Sequence, residues 1–419
     1  MMMTGKERVQ TVLSHRDADR IALDFGSTAV TGIHVKKIAE FRRYYGLEDR
    51  PVKVFDPYQM LGVVDDELAE IWNIDFVGVG GKTDIFGHLQ EDFVEMRMPW
   101  GQTVLLPKVF KMKEKDGNFY VFPQGDTDCL PTAVMPRGGY FFDTIERVAA
   151  TEIDAQLNIE DNMEEFALIT DADLPYWEKA LTTARATKKA VIANIGGMAI
   201  GDIALVPGLH LKNPKGIRNI ADWYMSTVMR TDFLLELFDR QSDIAIQNLE
   251  KVNRIAGDCI DVLFICGTDL GTQDSQFCSA EDLSALYGPA YRKMNDWVHS
   301  NTKWKTFKHC CGAIVPLLDA FIECGFDIIN PVQINATGMD PHFLKKEFGS
   351  RISFWGGGID TQRVLQLGSP QDVKKQVRQL CEIFGAGGGF VFNTVHNLQA
   401  NVPEANAFAL MDAICEVRK

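Results

Sequence analysis

Apolar and polar positions alternate in blocks along the second half of the chain. A short apolar run is followed by a polar or glycine-rich loop and then by a stretch with the period of an amphipathic helix. The apolar runs predict buried strands at Asp261–Ile265, Lys305–Lys308, Asp327–Asn330, Ile352–Trp355 and Phe390–Phe392. The helical stretches cover residues 281–299, 313–323, 341–348, 370–384 and 403–417. Strands that alternate with helices indicate a parallel sheet with helical crossovers.

The first half of the chain supplies three more candidate strands, Ile21–Asp24, Asp75–Val79 and Val191–Asn194. Together with the five strands of the second half they make eight, the number that closes a (β/α)8 barrel. We therefore predict an α/β fold, a TIM barrel that forms a single catalytic domain over residues 1–419. An open, doubly wound parallel sheet is the alternative architecture for this pattern.

One segment interrupts the alternation of strands and helices. Residues 93–142 are rich in aromatic residues, prolines and β-formers, and they contain the dipeptide Asp116-Gly117 between alternating stretches. An Asp-Gly pair in this setting is typical of a β-hairpin. We predict a β-rich insertion between the second and third barrel strands. Such an insertion covers the barrel mouth, makes a contact in a homo-oligomer or stands free in solvent, and the sequence leaves these alternatives open.

The charge balance excludes several classes of partner. The chain has 43 Lys and Arg against 57 Asp and Glu, and the net charge of -14 disfavours binding to nucleic acid or to an anionic membrane surface. No run approaches the roughly 18 uncharged apolar residues of a spanning helix. The N-terminus lacks the apolar core of a signal peptide, so we expect a cytoplasmic protein. Nine cysteines in 419 residues do not make a disulfide framework.

The loops that follow the predicted strands carry the candidate chemistry, because the active site of a (β/α)8 barrel lies at the carboxyl ends of its strands. These loops are polar, rich in glycine and short of lysine and arginine. That composition suits a neutral or cationic ligand, or a metal, better than a phosphate. The side chains expected to converge there and bind the substrate are Asp24, Asn194, Gln273, Gln333, Asp360 and Asn393.

The sharpest local motif is His309-Cys310-Cys311-Gly312. A histidine and a thiolate two positions apart at a strand end face the same side, and both are ligand types that Zn²⁺ favours. His396, in the loop after the eighth strand, supplies a third ligand across the mouth. Two alternatives stay open: a buried cysteine pair with a histidine bonded to backbone, and a Cys/His nucleophile pair, although no oxyanion-hole motif is evident.

A carboxylate, Asp269, lies in the loop that Gly267 opens after the fourth strand. It either anchors the substrate or transfers a proton, or it caps its own turn and the following helix. The glycine runs at 356–358 and 385–389 match neither a dinucleotide fingerprint nor a P-loop. Nucleotide phosphate binding by these runs is therefore disfavoured.

Several motifs together resemble the uroporphyrinogen decarboxylase superfamily, which also contains the methylcobamide:coenzyme M methyltransferases and related corrinoid-dependent enzymes. The resemblance extends from about Thr4 to the C-terminus, and it implies a (β/α)8 barrel. The segments that carry it are Lys6–Leu13, Asp269–Gln273, His309–Gly312, Asp327–Pro331, Phe354–Asp360, Val395–Asn397, Val402–Glu404 and Asn406.

The resemblance is closer to the methyltransferase branch of this superfamily. That branch binds zinc through a His-x-Cys-Gly motif and a late cysteine; His309 and Cys311 match the first two ligands, and the late position here is His396. The decarboxylases present arginines in the loop after the first strand to hold propionate groups. The corresponding loop, Phe25–Thr28, has no arginine, which disfavours porphyrinogen decarboxylation.

The resemblance implies a zinc-dependent methyltransferase that acts on a small methylated phenol, amine or thiol. Its corrinoid would be carried by a partner protein, since the chain has no corrinoid-ligating Asp-x-His-x-x-Gly motif of its own. The implied catalytic residues are Asp269, His309, Cys311 and His396, with the last three as metal ligands. The alternatives are a decarboxylase or lyase that acts on another small acid without a metal, and a non-catalytic barrel that binds a small ligand.

Overall fold

The computed structural model describes residues 2–152, 155–163, 166–196 and 198–418, so Met1 and Lys419 of the predicted single domain lie outside the described residues. Within these ranges, eight strands form one parallel sheet in which each strand pairs with the next along the chain from β2 to β8, and β8 pairs with β1. This strand order confirms the predicted (β/α)8 barrel. The strands are β1 (Ala22–Leu23), β2 (Phe76–Val79), β3 (Ala190–Ala193), β4 (Val262–Cys266), β5 (Lys305–His309), β6 (Ile328–Asn330), β7 (Ser353–Trp355) and β8 (Phe390–Phe392).

The seam between β1 and β2 closes through one residue, Asp75, which directly precedes β2. Its backbone N–H donates to the Leu23 carbonyl at 2.9 Å, and its carboxylate accepts from the Leu23 N–H at 2.9 Å. The Asp75 side chain thus supplies a hydrogen bond that a backbone carbonyl would accept in a regular pair of strands. The barrel sheet is therefore nearly closed, and these two hydrogen bonds link its first strand to its second.

The barrel interior is apolar in its lower half. Because side chains of a strand alternate between its two faces, every second residue points inward. Trp355 of β7 lies at the centre, with its ring centroid 4.3 Å from that of Phe76 and 5.1 Å from that of Phe307. Val9 and Val12, from the first helix, belong to the same apolar cluster, so this helix covers the amino end of the barrel.

Helices surround the barrel on its outer side. The predicted helix 281–299 is two helices that meet at Tyr287 and Gly288, and the predicted helix 313–323 begins with a 3-10 turn at Val315–Leu317. The α-helices are Gly5–Val12, Val35–Tyr44, Asp66–Ile71, Leu174–Ala186, Ile220–Met229, Thr231–Ala256, Ala280–Leu286, Gly288–Asn301, Leu318–Glu323, Pro341–Phe348, Val364–Leu367, Pro370–Gly385 and Glu404–Val417. Among the described residues, no helix combines the length and the apolar character needed to span a bilayer.

The predicted β-rich insertion is present between β2 and β3. Asp116 (φ 55°) and Gly117 (φ 80°) form the turn of its hairpin, with the two positive φ values that a type I′ turn requires. In the described ranges this hairpin belongs to a four-stranded sheet of Met112–Lys115, Asn118–Val121, Ala133–Met135 and Asp143–Thr144. A second sheet has five strands within the same ranges: Ile33–His34, Leu61–Gly62, Val52–Asp56, Thr103–Pro107 and Phe93–Arg97.

The β-rich region is larger than the sequence predicts, because the second sheet recruits strands that precede β2. Val52–Asp56 pairs in parallel with Thr103–Pro107 and buries Val104. The β-rich region contacts the loops at the carboxyl ends of the barrel strands. The His34 backbone N–H donates to the Leu398 carbonyl, in the loop after β8, at 2.9 Å, and Gln124 donates to the His210 carbonyl, in the segment after β3, at 3.1 Å. The insertion therefore stands beside the barrel mouth.

Candidate metal centre at the barrel mouth

The uppermost inward-facing layer of the barrel is polar. His309 ends β5, Asn330 ends β6, and Asp24 and Asn393 directly follow β1 and β8. All four residues are buried. Since the layer below is made of residues such as Phe307 and Trp355, the apolar core stops at the level where the strands end. Buried polar groups in this position need partners or a ligand.

Three potential metal ligands converge just above this layer. One ligand atom from each of His309, Cys311 and His396 lies within 4.8 Å of the other two. The His309 Nε2 and Cys311 Sγ atoms are 3.4 Å apart, and the rings of His309 and His396 meet edge to face with their centroids 5.3 Å apart. Among the described residues, no other group of three histidine, cysteine or carboxylate side chains has the spacing of metal ligands. The structure thus brings the three sequence-predicted ligands together.

The spacing of these atoms fits zinc. Tetrahedral Zn²⁺ binds nitrogen at about 2.0 Å and sulfur at about 2.3 Å, which places an N and an S ligand roughly 3.5 Å apart. The observed separation of 3.4 Å between His309 Nε2 and Cys311 Sγ is close to this value. Two imidazoles and one thiolate also leave a fourth position of a tetrahedral ion free, as catalytic zinc sites do.

Asn330 orients the His309 ring. Its Oδ1 lies 2.7 Å from His309 Nδ1, while its Nδ2 donates to the Trp355 carbonyl at 2.9 Å. The amide is thereby fixed with its oxygen toward the imidazole, which leaves His309 Nε2 directed at Cys311. A partner of this kind on the second ring nitrogen is usual for metal-binding histidines. The sequence signal for Asn330 was its place at the end of a predicted strand.

The protonation states of the other two ligands follow from burial. Burial lowers the pKa of His396 to about 3, so its imidazole is neutral near pH 7 and has a free lone pair. Burial, and after it the charge of Asp269, raise the pKa of the Cys311 thiol well above its usual range. Binding of a divalent cation must therefore displace a proton from Cys311.

Asp269 holds the backbone of the loop that contains Cys311. Its Oδ1 accepts the backbone N–H of Cys311 at 2.6 Å and lies 3.8 Å from His309 Nε2. The Tyr224 hydroxyl donates to the Asp269 carbonyl at 3.1 Å and so holds the loop from the other side. The carboxylate of Asp269 thus caps the backbone of a neighbouring loop, in contact distance of the candidate metal ligands.

A chain of amides joins the loops after β4, β5 and β6. The Gly312 N–H donates to Gln333 Oε1 at 2.9 Å, and Gln333 Nε2 donates to Gln273 Oε1 at 2.9 Å. Gln273 Nε2 in turn donates to the Asn335 carbonyl at 2.7 Å. Both predicted glutamines therefore lie at the mouth, beside the loop that carries Cys311.

Three other sequence-predicted site residues form hydrogen bonds to backbone groups. Asp360 Oδ1 accepts the backbone N–H groups of Gln362 and Arg363, each at 2.9 Å, which is a turn cap. Asn393 Nδ2 donates to the Asp24 carbonyl at 2.7 Å and ties β8 to β1. Asn194 is exposed and accepts the N–H of the second residue after it at 3.3 Å.

Within the part of the chain that the structure describes, one carboxylate oxygen of Asp24 is unsatisfied at the mouth, as are both side-chain polar atoms of Asn335. The Asp24 Oδ2 atom accepts from the Ser27 hydroxyl at 2.7 Å, but its buried Oδ1 has no hydrogen-bond partner among the described residues. Burial raises the pKa of this carboxyl to about 6, and the Ser27, Thr31 and Trp355 side chains oppose that rise.

Asp202, in the segment after β3, was missed by sequence reasoning. Burial raises the pKa of this carboxyl, and the nearby charge of Asp269 acts in the same direction. Its carboxylate occupies the space that a side chain at Gly267 would need. Asp202 lies well beyond the strand end, where no local pattern marks it as part of the mouth.

Comparison with known proteins places the chain in a family. The family model for uroporphyrinogen decarboxylase (URO-D) matches residues 147–417, which is more than half of the 419 residues. The chain belongs to the URO-D family. The matched segment of this URO-D chain contains His309, Cys311 and His396, whereas β1, β2 and most of the β-rich region precede it.

One solved structure supports the fold. A methyltransferase from Methanosarcina mazei is similar over 99% of this chain and 99% of its own, with a TM-score of 0.54 and 14% sequence identity. A crystal structure of D-psicose 3-epimerase in the presence of D-fructose matches 60% of this chain and 84% of its own, with a TM-score of 0.32 and 10% identity. No curated protein matches the sequence of this URO-D family member.

Proposed function

We propose that this chain is a zinc-dependent methyltransferase. It moves a methyl group between a small methylated phenol, amine or thiol and a corrinoid cofactor that a partner protein carries. The observation that carries the proposal is the convergence of His309, Cys311 and His396 at the carboxyl end of a URO-D family barrel. Two nitrogens, one sulfur and a free fourth position are the donor set of a catalytic zinc site.

The chemistry that bound Zn²⁺ supplies at such a site is Lewis acidity, which lowers the pKa of a thiol or polarises an ether oxygen or an amine. The chain's own residues hold the site in shape. Asn330 keeps His309 Nε2 turned toward Cys311, and Asp269 fixes the backbone of Cys311. The residues proposed to position the substrate are Asp24, Asn194, Gln273, Gln333, Asp360 and Asn393.

An apolar patch next to the mouth supports the proposed partner protein. Met225, Val228 and Met229 are exposed by 47%, 79% and 52% on the helix that contains Tyr224, whose hydroxyl contacts the Asp269 loop. Phe277, 51% exposed, stacks on the Tyr224 ring. Exposed apolar side chains in one place favour contact with another macromolecule. A corrinoid protein that docks here would bring its cofactor over the candidate metal centre.

The state of the cysteines supports a cytoplasmic location for the proposed reaction. All nine cysteines lie within the described ranges, and no disulfide joins any two of them. A reducing compartment keeps thiols in this state. The thiol of Cys311, which the proposal uses as a ligand, depends on such an environment.

The proposal predicts that the purified protein holds about one zinc per chain and changes the cobalt absorbance of a corrinoid. Methylated phenols, amines and thiols would be screened with Co(I) corrinoid, and free thiols with methylated corrinoid. His309→Ala, Cys311→Ala and His396→Ala should each lose zinc and lower turnover by more than about 100-fold, because each removes a ligand. Their unfolding temperatures in the metal-free state should change little, since the apolar core lies below the site.

Cys310→Ala is the matched control. The Cys310 thiol is buried, accepts the Leu270 N–H at 3.2 Å and lies 3.9 Å from the Cys311 carbonyl, so it is not one of the three converging ligand groups. This variant should keep both zinc and turnover. Loss of zinc from Cys310→Ala alone would reassign the thiolate ligand. If all four variants retain the metal content and activity of the wild type, these residues are core packing and not metal ligands. Absence of zinc from the wild-type protein after metal-replete expression would instead indicate a decarboxylase, a lyase or a simple binding protein.

A further inference from the structure

A fully buried lysine lies directly beside the candidate metal centre. Lys308 precedes His309 in β5 and has 0% exposed surface. Because Phe307 and His309 point into the barrel, the Lys308 side chain points outward, into the layer between strands and helices. Lysine is almost never fully buried unless its charge is paired. Its partners therefore decide what this side chain does.

The Lys308 ammonium is held by carbonyls and aromatic rings. Its Nζ donates to the Thr268 carbonyl at 2.7 Å and to the His309 carbonyl at 2.8 Å. The same atom lies 5.6 Å from the ring centroids of both Tyr291 and Phe321. Within the described residues, no carboxylate comes within ion-pair distance of it. A methionine of similar length would avoid the cost of burying this charge.

The two carbonyls belong to the segments that build the metal centre. Thr268 directly precedes Asp269 in the loop after β4, and His309 is a candidate ligand at the end of β5. Asp269 in turn accepts the backbone N–H of Cys311. The ammonium of Lys308 therefore bridges the backbone that carries Asp269 to the backbone that carries His309 and Cys311.

We propose that Lys308 is a positioning residue of the metal centre. Its ammonium fixes the separation between the loop after β4 and the end of β5, so that Asp269, His309 and Cys311 keep their mutual geometry. This inference rests on the proposed function, because it concerns the same metal centre. Charge-assisted hydrogen bonds are stronger than neutral ones, which explains a lysine where an apolar side chain would pack.

The test compares Lys308→Met with Lys305→Met in the full-length protein. Lys305 lies on the same strand at its other end, where its Nζ pairs with Asp327 at 2.7 Å. Three quantities are measured: the Zn²⁺ dissociation constant by competition with a chromophoric chelator, the visible spectrum of the Co²⁺-loaded protein, and the unfolding temperature of the metal-free protein. Lys308→Met should bind Zn²⁺ at least about tenfold more weakly and alter the Co²⁺ spectrum. Lys305→Met should leave both unchanged.

A Lys308→Met variant with wild-type affinity and an unchanged Co²⁺ spectrum would overturn the inference, even if its unfolding temperature falls, because its role would then be structural only. Should this variant fail to fold, Lys308→Gln, which keeps N–H donors without the charge, is judged by the same criterion. If the wild-type protein binds neither Zn²⁺ nor Co²⁺, the proposed metal centre is wrong, and the proposed role of Lys308 is wrong as well. The wild-type and variant results thus separate the two failures.

Discussion

The two ends of the barrel differ in whether their buried carboxylates are fully paired. At the amino end, both oxygens of Asp75 are occupied: Arg8, Arg20 and Arg418 donate to them at 2.6, 2.7 and 2.9 Å. At the carboxyl end, Asp24 Oδ1 lacks a partner among the described residues. The first arrangement stabilises the fold at the seam between β1 and β2. The second leaves polar groups available, which is what binding a metal or a substrate requires.

The comparison teaches that polarity at a barrel end does not by itself indicate a functional site. Both ends are rich in buried polar groups, and the amino end has the denser set of ion pairs. What differs is whether the groups satisfy one another. The predictions below test this difference, and they run from the largest expected effect to the smallest.

Asp75→Asn should destabilise the protein most. The substitution removes the charge that pairs with three guanidinium groups, and it leaves the buried Arg418 without its carboxylate partner, whereas Arg8 keeps its ion pair with Asp19. We expect the free energy of unfolding to fall by about 3–5 kcal/mol. Urea denaturation followed by circular dichroism measures this change.

The control for this variant is Asp258→Asn. Asp258 is 94% exposed and lies 4.0 Å from Arg185, so its loss should change the free energy of unfolding by less than about 0.5 kcal/mol. The folded fraction of Asp75→Asn should keep its zinc affinity, because Asp75 lies at the opposite end of the barrel. Weaker zinc binding with unchanged stability would contradict the view that the amino end stabilises the fold while the carboxyl end binds the metal.

Asn330→Ala should weaken zinc binding at the mouth. The substitution removes the acceptor that holds His309 Nδ1, so the imidazole can turn away from Cys311. We expect the zinc dissociation constant to rise by about 10- to 100-fold, as for other partners of metal-binding histidines. Asn295→Ala is the matched control, since Asn295 is equally buried but donates to the Cys324 carbonyl far from the mouth. Equal losses of affinity in both variants would mean that the effect is general destabilisation.

Asp24→Asn should show the smallest effect, and it should depend on pH. The pKa of Asp24 is about 6 in the folded state and near 3.8 in the unfolded chain, so the folded protein binds the proton more tightly. The wild type therefore loses stability as the pH rises from 3.8 to 6, and the neutral amide removes that loss. At pH 8 the variant should be more stable by about 1–3 kcal/mol, and the difference should vanish below pH 4. Thermal unfolding at the two pH values tests this, and a variant that is less stable at pH 8 would show a well-solvated carboxylate instead.

Most of the barrel could be predicted from the sequence, because its strands are short apolar runs bounded by polar residues. All eight runs correspond to barrel strands. The sheet that recruits Ile33–His34 and Leu61–Gly62 could not be predicted, because strands of two residues have no period to detect. Their pairing depends on the tertiary contact with Val52–Asp56.

In the candidate site, too, some residues could be predicted from the sequence and others could not. His309, Cys311 and His396 were visible because each is a metal-ligand type directly at or after a strand end. Lys308 and Asp202 were not, since a lysine inside a strand and an aspartate deep in a connection have no such mark. Their importance comes from partners that only the folded chain brings near, such as Thr268 for Lys308.

The Asp75 ion cluster also orders events during synthesis. Arg8 and Arg20 precede Asp75 by 67 and 55 residues and have already been made when it is added, whereas Arg418 follows it by 343 residues. Likewise, β1 acquires its neighbour β8 only when the residues around 390 have been made. A nascent chain therefore carries an unpaired β1 edge for most of its translation, and the barrel can close only after its last strand has been made.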